Sequence, residues 1–395
     1  MNPQTRKIAV VIPKYGLVGG AEGFAARLTE GFAQNRNYEV HVFANKWVDD
    51  PGGITFHRIP IIFFPKFMTS VSFAYYAGIQ ISKTPFDLIH THDRIFDADL
   101  FTMHGIPHRI WVNEIRRKKY MSLFDIGTQW VEKRLVSNER CKLFHAVSIL
   151  TKEKFLQEYG NINPERVRVI HPGVEISRFQ KYDRQLCRNE IRTQFDINEN
   201  DRVILLASMN FDIRGLDRLI QGIARLKITR VLDDVKLLVV GKGNTKKYST
   251  LAQDLGIMKN VVFAGIADRE TLDKMYIASD MFSILSEFDT FSMTTLEAMA
   301  ASLPVMISGN VGAKDLIKEG INGFVIHNIA NADEVADRIN RMLDDSIRPG
   351  MAEEAFKTAS AQTWEKAARR VEEMYEEILG RKNPLLAVYP STSSG

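Results

Sequence analysis

Short apolar runs alternate with longer amphipathic stretches along almost the whole chain, and no other feature narrows the possible folds as much. Runs that are apolar at nearly every position suit strands buried on both faces, and the amphipathic stretches between them suit the crossover helices of βαβ units. Residues 7–12 (KIAVVI), 38–44 (YEVHVFA), 87–92 (DLIHTH), 143–148 and 167–171 predict the strands of a first half. A helix from Ala21 to Ala33 is spaced by Phe24, Leu28 and Phe32. The cycle restarts at 203–208 (VILLAS) and continues at 236–241, 260–263, 281–285 and 304–307, with a helix over Leu216–Leu226 after a loop ending at Gly215. The chain of 395 residues is therefore expected to be α/β with two Rossmann-like halves. The expected domains are 1–185, joined by a C-terminal helix at 361–380, and 186–360, followed by a flexible tail at 383–395.

The net charge of +4 conceals an asymmetry. Residues 1–185 hold 26 Lys/Arg against 18 Asp/Glu, and residues 186–395 hold 26 against 30. One half is basic and the other mildly acidic. Cys141 and Cys187 are too few for a disulfide scaffold or a zinc cluster and suit a reducing compartment. After Arg6-Lys7, the apolar stretch Ile8–Ile12 is too short for a signal-peptide core. The run Ile59–Phe64 falls far below the ~20 residues that span a bilayer. A cytoplasmic protein is expected, peripheral on the inner face of the cytoplasmic membrane.

Three segments could carry chemistry. Gly19-Gly20 lies between the first strand and the first helix, where backbone N–H groups can approach an anion. A tight turn is the plainer alternative, since neither GxGxxG nor GK[ST] is present. Thr91-His92-Asp93 and Thr102-Met103-His104-Gly105 place histidines at strand ends, as ligand, metal-binding or simply satisfied polar residues, with Asp97 and Asp99 between them. The third is Ser286–Ala300, a strand running through a polar loop into a helix. Asp289 precedes that helix and Glu297 sits a turn into it, while the free amides of Ser292, Met293 and Thr294 head it.

This third segment resembles the E-x7-E signature of GT-B glycosyltransferases of family 4, and other motifs fall in that family's order. They are Gly19-Gly20-Ala21-Glu22, Thr102–Gly105, His171-Pro172-Gly173-Val174, Ser208–Asp217, Val240–Gly243, Val262–Ile266 and Gly312–Phe324. Within the family, the N-terminal half is most similar to the group that glucosylates the first heptose of the lipopolysaccharide core. The resemblance implies a GT-B fold with the active-site cleft between two Rossmann-like domains. It implies a retaining hexosyltransferase, moving glucose from a UDP-linked donor to a hydroxyl of a cell-envelope glycolipid such as the lipopolysaccharide inner core.

On that resemblance, His104, Asp289 and Arg214 are the catalytic candidates. The donor is held by Gly19, Gly20, Phe263, Gly265, Ile266, Phe291, Ser292, Met293, Thr294 and Glu297, with Asp97 and Asp99 on the acceptor side. Positive potential from amides and Arg214 replaces a divalent ion, so no metal or cofactor is expected. Three positions depart from the family pattern: Asp289 stands for Glu, Ile213-Arg214 for Arg-Lys, and Ser292 for Gly. They keep open a non-catalytic nucleotide-sugar-binding protein; an epimerase of the same fold is the other alternative. A nicotinamide dehydrogenase lacks its fingerprint. Residues 108–142 carry nine Lys/Arg against four Asp/Glu with Trp111, Tyr120, Phe124 and Trp130 interleaved. That pattern suits an amphipathic helix on an anionic membrane, or a solvated face. No recognition helix or stacking motif supports nucleic-acid binding.

Overall fold

The computed structural model describes residues 5–17, 19–35, 37–48, 52–226 and 234–380, so the expected tail at 383–395 lies outside the described residues. The chain forms two compact units. One runs through Gly173 and takes back the chain from Trp364 onward; the other is Val174–Thr363.

The strands of the first unit are β1 (Arg6–Val11), β2 (Lys14–Tyr15), β3 (Tyr38–Ala44), β4 (Lys46–Trp47), β5 (Ile54–Arg58), β6 (Leu88–Thr91), β7 (Leu100–Met103), β8 (Leu143–Ala146) and β9 (Val167–Val169). Seven make one parallel sheet in the order β5-β3-β1-β6-β7-β8-β9, while β2 and β4 pair separately. Burial explains the sequence pattern, since Ile8, Ala9, Val10 and Val11 are all fully enclosed. The returning helix Trp364–Ile378 docks here through aromatic contacts: Trp364 against Phe24 at 5.5 Å and Tyr375 against Phe32 at 5.1 Å.

The second unit holds β10 (Arg202–Ser208), β11 (Val235–Gly241), β12 (Val261–Gly265), β13 (Met281–Ile284), β14 (Val305–Ser308) and β15 (Gly323–Ile326), parallel in the order β12-β11-β10-β13-β14-β15. That is the doubly wound dinucleotide-fold order. In both sheets the order reverses beside the first strand, and ligands of such folds sit beyond the carboxyl ends of the strands there. In the first unit the reversal falls between β1 and β6, and in the second between β10 and β13.

Two sequence-based boundaries differ from the structure. Residues 174–185 belong to the second unit, because Arg184 donates to the carbonyls of Ile277 and Ala301 and Arg178 pairs with Asp273. The segment 108–142 is no single helix. A turn at His108–Ile110 runs into a π-turn at Trp111–Ile115, Arg117 adopts φ +49°, and a new helix spans Leu123–Val136. Ser122 and Asp125 form a reciprocal capping box that starts the new helix and fixes the break. Among the described residues, no helix is long and apolar enough to cross a membrane.

Candidate active site

In the first unit, Gly19 opens the helix Gly20–Ala33 after β1. A β-carbon on Gly19 would collide with Glu22 Oε2, so the Glu22 carboxylate bends back over the helix start, where the helix dipole favours it. A β-carbon on Gly20 would meet nothing within 4 Å, which leaves room beside the free amides.

His92 and His104 follow β6 and β7, and their rings meet edge to edge. His92 Nδ1 and His104 Nε2 are 2.9 Å apart with the ring planes 17° from coplanar. Behind them runs a second hydrogen-bonded chain whose direction can be worked out from its far end. The Ile170 carbonyl can only accept, so His145 Nε2 donates to it at 2.9 Å and His145 Nδ1 is the acceptor. Thr102 therefore donates to His145 Nδ1 at 2.9 Å and accepts from His90 Nε2 at 2.7 Å. His90 Nδ1 is left to accept the phenol proton of Tyr375, also at 2.7 Å. Each imidazole in that chain is a neutral tautomer with its proton on Nε2.

Burial holds all four rings neutral. It lowers His90 and His92 well below the ordinary histidine value, His145 to about 4 and His104 to about 3, with the His145 imidazole adding to the effect on His104. His104 thus presents a neutral ring, suited to hydrogen bonding and unsuited to charge. A cavity of about 240 Å³ opens beside it, walled by His92, Asp93, Arg94, Ile106 and Glu132 among others. Arg94 Nε donates to Glu132 at 2.6 Å, and Glu132 also accepts from Tyr159 and from the His108 amide. Asp97 and Asp99 do not line this cavity. Both are bound by Arg140, and Asp99 also accepts the Ile89 amide at 2.8 Å, which makes them props for β6 and β8. The acidic groups that do line the cavity are Asp93 and Glu132, the latter occupied by Arg94 and Tyr159.

In the second unit the loop after β10 lies against the end of β13. Leu285 and Glu287 donate their amides to the carbonyls of Arg214 and Ile213. The approach is so close that a β-carbon on Gly215, whose φ is +70°, would overlap the Leu285 carbonyl. Arg214 is thereby delivered to Asp289, with which it forms an ion pair. Asp289 also accepts the Phe291 amide at 3.2 Å. The Phe291 ring is buried in the core, so its contribution is through the backbone. Ser292 caps the helix Met293–Ala300 from a left-handed φ of +78°, its hydroxyl accepting the Thr295 amide. The amides of Met293 and Thr294 follow at the head of the helix, outside its internal ladder.

Glu297 projects from that helix into a cluster that no spacing in the sequence announces. Arg178 Nη1 donates to it at 2.5 Å and Tyr276 at 3.4 Å, while Arg178 Nε donates to Asp273 at 2.7 Å. Burial and the Glu297 charge push the Tyr276 phenol well up, so it stays a donor. At the sheet edge, β12 bulges at Ala264: Val239 pairs with Phe263 and Val240 with Gly265. Beyond the bulge Gly265 has φ +73° and Ile266 is exposed, and among the described residues no further strand pairs with this edge.

Comparison with known proteins supplies the wider context. Residues 18–178 match the family model Glycosyltransferase Family 4, and residues 188–370 match Glycosyl transferases group 1. An uncharacterized glycosyltransferase of Methanocaldococcus jannaschii is 25% identical over 95% of this chain and 100% of its own length. The lipopolysaccharide glucosyltransferase WaaG of Escherichia coli is 23% identical over 90% of this chain and 94% of its own. A crystal structure of WaaG superposes with a TM-score of 0.76 at 19% identity, covering 94% of this chain and all of that one. The Anabaena protein HepE, solved with UDP and glucose, gives 0.69 at 18% identity over 93% and 99%.

Proposed function

Because the chain belongs to the glycosyltransferases that join a Family 4 domain to a group 1 domain, we propose that it transfers glucose from UDP-glucose to a hydroxyl of a cell-envelope glycolipid, such as the lipopolysaccharide inner core, with retention of configuration. The observation that carries this reading is the Arg214–Asp289 pair at the head of the helix capped by Ser292. A leaving diphosphate develops charge that must be met by fixed donors. The amides of Ser292, Met293 and Thr294 are such donors, and Arg214 adds a guanidinium that recognises phosphate through its planar fork. When phosphate draws Arg214 away, Asp289 is released to accept from sugar hydroxyls. Glu297, anchored by Arg178 on Oε1 and by the longer bond from Tyr276 on Oε2, keeps a lone pair of Oε2 for the ribose hydroxyls, and the edge backbone from Phe263 to Ile266 suits a base edge.

The first unit supplies a neutral His104 for a sugar hydroxyl and room beside Gly20 for an anion. In this reading no metal or cofactor is required. Donor names enter through the relatives: WaaG is a glucosyltransferase of lipopolysaccharide and HepE binds UDP-glucose. We place the enzyme in the cytoplasm, peripheral on the inner face of the membrane, with segment 108–142 toward anionic lipid.

The test is UDP release from UDP-glucose with a chelator present and no metal added, compared across a panel of nucleotide sugars. Glu297→Ala should abolish release, because it removes the ribose acceptor and leaves Arg178 half-paired. Full activity in that variant would overturn the site, and an epimerised sugar in place of free UDP would overturn the reaction.

A further inference from the structure

The first unit exposes a second apolar element beside segment 108–142. Residues 62–67 (IFFPKF) are exposed at every position, Phe63 at 62% and Phe64 at 89%. They lead into the helix Met68–Ile81, which lies along Leu123–Val136. Ser70 Oγ and Thr128 Oγ1 are 2.9 Å apart, Lys66 Nζ sits 5.5 Å from the centre of the Phe124 ring, and a β-carbon on Gly127 would touch the Phe67 carbonyl. Loop and helix therefore share one surface. The helix itself is apolar on two faces: Val131, Leu135 and Val136 point into the core, while Leu123, Ile126 and Trp130 (48% exposed) point out, near Tyr120 at 76%. Isolated exposed apolar residues are ordinary, but a contiguous set of this size marks an interaction surface.

Charge identifies the partner. Three of the four carboxylates of 108–142 are withdrawn from the surface or occupied, and the fourth, Glu139, is exposed beyond the end of the helix Leu123–Val136. Asp125 and Glu132 are buried, paired with Arg116 and Arg94, and Glu114 is held by Lys154. Exposed in the same stretches are Lys66, 5.5 Å from the Phe124 ring, Lys119, 5.5 Å from the Tyr120 ring, and Arg117, Lys118 and Lys133. Protein interfaces are depleted in lysine around their apolar centres and carry a polar rim. An aromatic surface ringed by cations fits a bilayer with anionic headgroups.

We infer that Ile62–Phe67 is a second membrane anchor, which inserts Phe63 and Phe64 at the boundary of headgroups and acyl chains while Lys66 and Arg117–Lys119 lie on the headgroups. It rests on the membrane reading of segment 108–142 proposed above. Two signals are what stable peripheral anchoring needs. The test uses the full chain with vesicles of phosphatidylcholine, with and without phosphatidylglycerol. Replacing both rings (Phe63→Ser with Phe64→Ser) should weaken co-sedimentation with the anionic vesicles about tenfold or more while leaving the melting temperature unchanged. A separate variant, Lys118→Ser with Lys119→Ser, reports on segment 108–142 alone. If that variant loses binding while the phenylalanine variant keeps it, the second anchor is wrong and the membrane reading stands. If the unaltered chain ignores both vesicle types, both fail. Loss of self-association without change in lipid binding would reassign the loop to a contact between copies and overturn the anchor.

Discussion

Ser292 carries two opposing effects in one residue. Its hydroxyl caps a helix, which is worth about 1 kcal/mol relative to alanine. Its φ of +78° is a left-handed conformation that costs a residue with a β-carbon roughly 1–2 kcal/mol. Glycine at this position would relieve the strain and lose only a few tenths of a kcal/mol of capping, offset in part by the freer unfolded chain. Alanine would keep the strain and lose the cap. The expected order of melting temperatures is therefore Ser292→Gly at or above the parent, and Ser292→Ala below it by the equivalent of about 1 kcal/mol. Equal destabilisation by both substitutions would mean that the left-handed strain is not real. The departure from the family's glycine is thus a matter of stability first, because the amides of the next two residues head the helix with either side chain.

The buried imidazoles add a pH dependence that also belongs to single residues. His90, His92 and His145 titrate in the folded chain well below the ~6.5 of an exposed histidine. Between the folded and unfolded values only the unfolded chain takes up the protons, so stability rises with pH in that window and is lost as pH falls below about 6.5. Each imidazole contributes at most about 1.4 kcal/mol per pH unit there. Urea unfolding of the first unit should give a lower midpoint at pH 5 than at pH 7. His145→Gln keeps a donor for the Ile170 carbonyl without titrating, and should flatten that difference. A midpoint independent of pH would contradict the neutral chain from Tyr375 to Ile170.

At the scale of elements, what the sequence revealed followed from how local each signal is. Strands β3 and β10 were legible because a buried parallel strand is apolar at nearly every position, and their sequence-predicted limits match or differ by one residue. The segment around Asp289 and Glu297 was legible because a strand, a loop and a helix start lie consecutively in the chain. Arg178, Asp273 and Tyr276 were not, since separate elements bring them to Glu297 and no spacing connects them. The histidine chain was hidden for the same reason: its members come from β6, β7, β8 and the final helix. The break inside 108–142 did leave a trace, the Ser122-x-x-Asp125 spacing of a capping box, but an uninterrupted run of cations and aromatics overlies it. Asp97 and Asp99 misled because two carboxylates next to a strand end look alike whether they face a ligand or an arginine; only Arg140, some forty residues on, decides between them.

The whole molecule is organised by a chain that leaves its first unit at Gly173 and returns to it at Trp364. The second unit is continuous in sequence, has a complete six-stranded sheet and encloses its own core. The first is not. Without the helix Trp364–Ile378, His90 loses the phenol of Tyr375, Phe24 loses Trp364, Phe32 loses Tyr375, and apolar surface that now covers Val371, Met374 and Tyr375 opens to water. Uncovering several large side chains at about 1.5–3 kcal/mol each exceeds the roughly 5–15 kcal/mol by which a domain is usually stable, or consumes most of it. Residues 174–363 expressed alone should therefore unfold in one cooperative thermal transition. Residues 1–173 alone should show none, and should regain one when 364–380 is joined to them through a flexible linker. A cooperative transition in 1–173 by itself would show that the helix is an accessory to the fold and not part of its core.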